Sequence, residues 1–532
     1  MKKCAALLIT AILGLLISIP AAGVKADVAG VQINDTNFKD PWFQKYMRDK
    51  VDSDRDGYLS PSEIEKIKSI QFLSTIKGLS GIEYLTSLEE LEVRGCNLGS
   101  LDLSSNKALK NVICVGCSLT SLTLGTLPAL TEINCYHNKL TSLDVTGCPN
   151  LTLLKCSSNQ IESLDLSKCT ALTSLNCYDN SLVSLDVSVC TALKNLYCGE
   201  NSLTELDLKN NKALKELECQ SNQINTLDLR KNTALTEVDC SKNQMETLLF
   251  NKNTKMTTLL CHINKLSEIN VSAMKSLKVL NFYNNRIKIL DVSSNPKLES
   301  LDCSYNPLTE LDVTSNPVLK ELDFSNLGLR SIDLSKNTAL EKLECYLNRL
   351  TSLDLSKNTK LVKLSCWHNK LTVLDIHLCP KLVNLVDNCE RGTGNSYAHD
   401  YYYYSTESQY FAFDTDITLI TSVPSVGKVT NLSAASAGKN KVKLTWDAVE
   451  GAEGYLVYAQ KDGKYGYVGM TTQETTFTDT QALDTDYNYY WVFAYAKDIA
   501  GFMHPGACEK YVYAKGVTLA VTNLKASSVK GG

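Results

Sequence analysis

The sequence predicts a mainly β chain: a solenoid of 21-residue units on one parallel β-sheet, a small helical N-terminal cap, and a C-terminal β-sandwich. Three observations carry that expectation. Leucine recurs every 21 residues from Leu88 to Leu382, with Met256 as its one substitute. A complete acidic loop lies between two short amphipathic stretches near the N-terminus. Beyond residue 424 the period stops, and tyrosine-rich alternating runs take over. Bulk composition is that of an ordinary folded protein, and a net charge of −4 gives no pull towards nucleic acid or an anionic membrane.

Residues 1–26 read as a secretory signal peptide. Lys2 and Lys3 precede an apolar run from Ala5 to Pro20, and Val24-Lys25-Ala26 offers a small-x-small cleavage site. Cys4 lies on the wrong side of that run for lipoprotein acylation. No later run is long enough to span a bilayer, so no transmembrane segment is expected once the signal is removed.

Residues 27–77 are expected to form a helical cap. Phe38 to Val51 is amphipathic, and Glu63 to Ile70 reads as a second short helix after Pro61-Ser62. Between them, Asp52 to Glu63 matches D-x-D-x-D-G-x₅-E, the EF-hand calcium loop, with Gly57 at its sixth position. One Ca²⁺ is expected there, held by Asp52, Asp54, Asp56, the Tyr58 carbonyl, a water near Ser60, and bidentate Glu63. The carboxylates repel one another without a cation. A metal-free acidic cap is the plainer alternative. Dockerins, the cohesin-binding modules of cellulosomes, use such loops in duplicate, and no second loop is found.

Residues 78–390 hold the repeats, with unit L-x-x-L-x-C-x-x-N-x-L-x-x-L-D-[LV]-S-x-[NC]-x-x. This is the leucine-rich repeat pattern with Cys at its third apolar position. Cys135, Cys156, Cys177, Cys198, Cys219 and Cys240 open that row, and Phe282 and Phe324 interrupt it later. One unit cannot bury its apolar face alone, so neighbours stack and share a core. The second half of each unit is expected to be extended or a short 3₁₀ turn. Asn at the ninth position (Asn138 to Asn369) is expected at a buried bend, bonding backbone of its own and the next turn. The Asp row that includes Asp144 and Asp165 suits local turn capping.

Twenty cysteines in an exported chain would ordinarily suggest disulfides. Here the Cys row fills a core-leucine slot, and neighbours on parallel strands sit about 4.8 Å apart with parallel Cβ vectors, a poor disposition for a disulfide. A second row, Cys148, Cys169, Cys190 and Cys379, alternates with Asn and reads as a small-residue core slot. Only Cys114 and Cys117 have C-x₂-C spacing, and both fit the repeat register. Free, buried thiols are expected.

The repeats resemble those of the internalins, in particular the cysteine-ladder type with 21-residue units, and also a broad class of repeat surface proteins of clostridia. The resemblance covers roughly residues 78 to 390, including the first unit Gly78-Leu-Ser-Gly-Ile-Glu-Tyr-Leu. It implies a bacterial surface or secreted binding protein of the adhesin type.

Residues 391–423 are expected to close the last repeat with two strands, Tyr401 to Tyr404 giving cover. Residues 424–515 resemble a fibronectin type III module, with core Trp446 early and the strand Tyr489 to Tyr495 late. The corner-tyrosine position falls on Asn488, so either Tyr487 substitutes through a bulge or the corner is lost. Val429-Thr-Asn-Leu recurs at Val521, so residues 516–532 read as the start of a second module, with any wall anchor beyond Gly532.

No phosphate loop, zinc-protease motif or nucleophile elbow appears, so no enzyme is expected. His137, His262 and His368 are expected on solvated surface. The ligand site is expected on the concave sheet face. Its outward rows from Glu90 to His368 hold 13 acidic and 5 basic residues. The acids gather at Glu216, Glu218, Glu237 and Asp239, and again at Asp302, Glu321, Asp323 and Glu344. Tyr136, Tyr178, Tyr283, Tyr346 and Trp367 add rigid aromatic contacts. A basic protein or a glycan on a host or neighbouring cell surface is the expected partner, with the chain a secreted or wall-attached monomer. The alternatives are the non-catalytic region of a larger exported hydrolase, or a passive wall spacer.

Overall fold

The computed structural model describes residues 30–73, 76–392, 401–406, 408–422, 426–497, 503–508 and 511–515. The signal peptide and the start of a second module lie outside these residues. The chain divides into two compact units between Leu203 and Thr204.

In the first unit, the first helix spans Pro41–Tyr46 and runs into a π turn at Met47–Val51. Asp40 caps it by accepting from the Trp42 and Phe43 N–H groups, both at 2.9 Å. The stretch Glu63 to Ile70, expected as one helix, divides. The helix is Pro61–Lys66, and Ser69–Leu73 is a strand parallel to Glu90–Arg94. Buried Ile70 and Phe72 alternate there with exposed Ser69, Gln71 and Leu73, a period of two that a helix could not bury. Phe72 packs edge-on against Phe43 and Tyr46. The parallel sheet therefore begins inside the stretch expected as cap.

From there each turn adds a strand displaced by 21 residues, Ile133 pairing with Leu154, Leu154 with Leu175, and Leu175 with Leu196. The second halves run extended, and Ser100–Asp102 pairs in parallel with Ser121–Thr123.

The second unit repeats the plan, from Glu216–Glu218 to Lys363–Ser365. The next sheet position is filled by Tyr410–Asp414, parallel to Lys363–Ser365 and antiparallel to Tyr401–Ser405. Phe411 thus takes the slot of a repeat leucine, opposite Leu364.

The ninth-position Asn ties turns together. Asn243 Oδ1 accepts from Ile224 N–H at 3.0 Å, and its Nδ2 donates to the carbonyls of Cys219, Cys240 and Ser241. The cross-turn bonds run to the preceding turn, where the sequence reading expected the next one. At the eighth position the backbone is left-handed in turn after turn, from His137 through Ile263 to His368. A β-branched residue at φ 52° is strained, and Ile263 holds it because its N–H bonds the Tyr283 carbonyl of the next turn at 2.9 Å.

The second Cys/Asn row proves to be a donor slot. Asn316 Nδ2 donates to the carbonyls of Val292 and Asn295, 24 and 21 residues back. Cys379 Sγ reaches the corresponding carbonyls of Leu355 and Asn358 at 3.9 and 3.6 Å. The thiol replaces the amide because it offers a donor of similar size, a stricter demand than smallness. All cysteines among the described residues are free, and all but Cys389 and Cys508 are buried. Burial raises the thiol pKa values of Cys135, Cys177, Cys240 and Cys303, and that of Cys156 to about 12.

The C-terminal module is a β-sandwich. Ser433–Gly438, Lys441–Thr445 and Thr476–Asp479 form one antiparallel sheet. In the other, Gly454–Lys461 lies between Lys464–Thr471 and Asn488–Lys497, which also pairs with Met503–Pro505 and Val512–Ala514. Trp446, Tyr455, Val457, Tyr490 and Val492 fill the core. The corner is neither lost nor taken by Tyr487. Asn488 holds it, accepting from Leu483 N–H at 2.8 Å and donating to the Leu483 and Ala514 carbonyls. Tyr487 is exposed, with Lys515 Nζ 4.5 Å above its ring. No helix among the described residues is long and apolar enough to cross a membrane.

Candidate functional site

Two places in the fold gather chemistry: the acidic loop of the cap and the outward face of the parallel sheet. In the loop, Arg55 and Gly57 take positive φ, which folds the chain back on itself. Tyr58–Leu59 then pairs with Val31–Gln32, and Ser60 starts the second helix with a reciprocal capping box to Glu63.

Oxygen atoms of Asp52, Asp54 and Glu63 lie within 4.8 Å of one another. Asp52 and Glu63 are only 6% and 4% exposed. Asp52 Oδ2 accepts from Gly57 N–H at 3.0 Å, while Oδ1 is buried with no partner among the described residues. Burial tends to raise the Glu63 pKa, but bonds from the N–H and hydroxyl groups of Ser60 and Ser53 outweigh it and hold the value at about 2.

The other expected ligands are engaged differently. Asp56 lies outside this trio and accepts from Tyr58 N–H at 2.8 Å. The Ser60 hydroxyl donates to Glu63 Oε2 at 2.8 Å. Tyr58 itself is in the short strand, with its side chain exposed.

On the sheet, parallel in-register pairing sets like residues side by side. Glu216 faces Glu237, and Glu218 faces Asp239. Burial, then the Asp239 charge, raises the Glu218 pKa, against a lowering bond to Gln220. Further along the same unit, Asp302 faces Asp323, which faces Glu344. Burial first and the Asp302 charge second raise Asp323 from 3.8 to about 7, and burial raises Asp302 as well. Lys342 pairs with Glu344 at 2.6 Å. By contrast, Glu299, one position before the strand, is bracketed by Lys278 and Lys320 from the turns on either side.

The aromatic row is ordered by the same register. The rings of Tyr346 and Trp367 stack at 5.0 Å with an interplanar angle of 1°. Tyr283 stacks on His262 at 4.8 Å. Burial raises the Tyr346 pKa, helped by its side-chain bond to Tyr305 and by the Asp323 charge. Tyr136 is exposed beside His137, and Tyr178 is half-buried in the first unit.

Two contributors escaped the sequence reading. Tyr305 was hidden at the variable eighth position. His262, expected on solvated surface, is half-buried under Tyr283 with its Nδ1 shielded, and burial lowers its pKa. Its 21-residue offset from Tyr283 was the available signal.

The family model for leucine-rich repeats (two copies) matches residues 275–315. No curated protein matches this chain. Among solved structures, the functional domain of InlJ from Listeria monocytogenes, which includes a cysteine ladder, is 26% identical with a TM-score of 0.55. That likeness covers 91% of this chain and 98% of the InlJ domain. A leucine-rich repeat protein of Leptospira interrogans is 23% identical with a TM-score of 0.54, covering 62% of this chain and 90% of its own, and shares the fold. The chain is a leucine-rich repeat protein with an internalin-like solenoid fold built on a cysteine ladder.

Proposed function

We propose that this chain is a secreted or cell-surface binding protein. It presents the outward face of its parallel sheet to a basic or polyhydroxylated partner on another surface. One observation carries the reading: the carboxylates of Asp302, Asp323 and Glu344 lie in register on neighbouring strands, and Tyr346 of the stacked Tyr346–Trp367 pair follows two residues after Glu344. Carboxylates held together at a cost attract a guanidinium or ammonium group, and parallel rings beside them accept its flat face or a sugar. The likeness to InlJ supports surface display.

Ca²⁺ in the cap belongs to the same reading. An all-oxygen set with a buried, unpartnered Asp52 oxygen suits a hard cation, which would neutralise Asp52, Asp54 and Glu63 and fix the loop against the first strands. The C-terminal sandwich is read as a fibronectin type III module, supported by its three-stranded and five-stranded sheets and early core Trp446.

The test is binding of the full chain to immobilised polyarginine and to arrayed neutral and acidic glycans. Tyr346→Ala/Trp367→Ala and Asp302→Asn/Asp323→Asn variants run beside it. Binding reduced in both variants, without marked loss of stability, supports the reading. Equal binding by all three proteins removes the site from this face.

A further inference from the structure

The C-terminal sandwich carries a second surface, chemically unlike the sheet face of the repeats. On Gly454–Lys461 and Asn488–Lys497, the buried positions Tyr455, Val457, Ala459, Tyr490 and Val492 fill the core. Alternation sends Tyr458, Tyr489, Trp491 and Phe493 to the opposite face. The strand Lys464–Thr471 adds Tyr467 in register with Tyr458, and Tyr465 opposite Gln460. Val512–Ala514 adds Tyr513 opposite Tyr489.

These rings touch in one unbroken path across the sheet. Tyr467 meets Tyr458 at 5.6 Å, Tyr458 stacks on Tyr465 at 5.6 Å, and Tyr465 meets Trp491 at 5.1 Å. Trp491 meets Tyr511 at 5.5 Å, and Tyr511 meets Tyr489 at 5.5 Å. Tyr465, Tyr467 and Tyr511 are 57%, 54% and 51% exposed, so the path is open to a ligand.

Among the described residues, the other outward strand positions between the rings are Leu456, Gln460 and Met470, none of them charged. Among the described residues, lysines stand at its rim, Lys461 and Lys464 at a turn, Lys497 at the end of its strand and Lys515 over Tyr487. A charge-free face gives a polyelectrolyte no Coulombic pull. Leu456 and Phe493 add plain apolar surface, but all rings on the path except Trp491 are tyrosines. Tyrosine offers an apolar ring and a hydroxyl donor-acceptor together. That pairing matches a neutral sugar, whose C–H faces are apolar and whose rim is hydroxylated. Four strands about 4.8 Å apart give a platform about 14 Å wide, room for a few linked pyranose rings.

We infer that this face of the sandwich binds a neutral polysaccharide. It stands independently of the reading of the repeat face.

The test is affinity electrophoresis of the full chain in gels containing hydroxyethyl cellulose, laminarin, galactomannan or amylopectin, with pectate as the charged control. Retardation by at least one neutral polymer, unchanged in 0.5 M salt, is expected. The Tyr465→Ser/Tyr467→Ser/Tyr511→Ser variant should bind at least about tenfold more weakly at an unchanged melting temperature. Single Tyr465→Ser and Tyr511→Ser variants give the same reading should the triple variant melt early. The Tyr346→Ala/Trp367→Ala variant should be retarded like the parent, which separates this face from the repeat face. No retardation by any neutral polymer overturns the inference. So does retardation that survives all three serine variants, or a concentration-dependent dimer that they abolish.

Discussion

Trp367 lies one turn on from Tyr346 in the same position of the repeat, and the two rings stack at 5.0 Å, within 1° of parallel. Both are half-buried, so their outer surfaces stay available while the sheet behind holds them rigid. Trp367→Ala is expected to cost less than about 1 kcal/mol in stability and about 2 kcal/mol in binding. Chemical denaturation and a binding isotherm on the same preparation check both values. A larger loss of stability than of binding would make the pair structural.

The carboxylates next to that pair give a signed pH dependence. Asp323 is raised from 3.8 to about 7, and Asp302 is raised too, both by burial first. A raised folded-state pKa means the fold prefers the protonated acid. That contribution is fully present below pH 3.8 and is lost as pH rises through about 7. Asp323→Asn should therefore stabilise the chain at pH 8 by on the order of 1–3 kcal/mol and do little at pH 4. Denaturation midpoints at the two pH values measure it, and a variant less stable at pH 8 would contradict the assignment.

The donor slot shared by Asn316 and Cys379 makes a comparison of substitutions decisive. Asn316→Cys keeps a donor for the Val292 and Asn295 carbonyls and should cost about 1 kcal/mol. Asn316→Leu abandons both carbonyls in a buried site and should cost more than about 2 kcal/mol. Equal urea midpoints for the two variants would return the slot to a matter of size.

The buried thiols should be silent in the folded chain. Burial raises Cys117, Cys148 and Cys190 to about 11, so few are thiolate at pH 8. A disulfide-exchange reagent should titrate at most Cys389 and Cys508 among the described cysteines in native protein, and nearly all cysteines after denaturation without reductant. Loss of that denatured titre in fresh protein would mean cross-linked turns.

Ca²⁺ at about 1 mM should stabilise the cap by about 0.4–1.4 kcal/mol, the range set by an extracellular loop of dissociation constant about 10⁻⁴–10⁻³ M. Glu63→Gln should remove the gain. A melting profile of the full chain that a chelator leaves unchanged would exclude the ion.

Much of this molecule was legible because its repeat length is constant. Once the 21-residue spacing sets Ile133 against Leu154, the row of carboxylates and the row of rings follow in the same register. What escaped depends on contacts the period does not encode. Ser69–Leu73 joined the sheet because Phe72 had an apolar partner in Phe43, a tertiary contact. Asp56 and Ser60 matched a ligand motif, yet their side chains also satisfy backbone and helix-cap groups, a competition that spacing does not reveal. Asn488 could replace a tyrosine at the corner because its amide supplies partners to the carbonyl and N–H of Leu483 and to the Ala514 carbonyl.

The most direct test of the sheet-face reading is a fluorescence titration of the full chain with an arginine-rich peptide, following Trp367 by difference from Trp367→Phe. Saturable change in the Trp367 signal is expected, weakened about tenfold or more by Asp302→Lys/Asp323→Lys and by high salt. A Trp367 signal that the peptide leaves untouched, or that charge reversal does not alter, would contradict it.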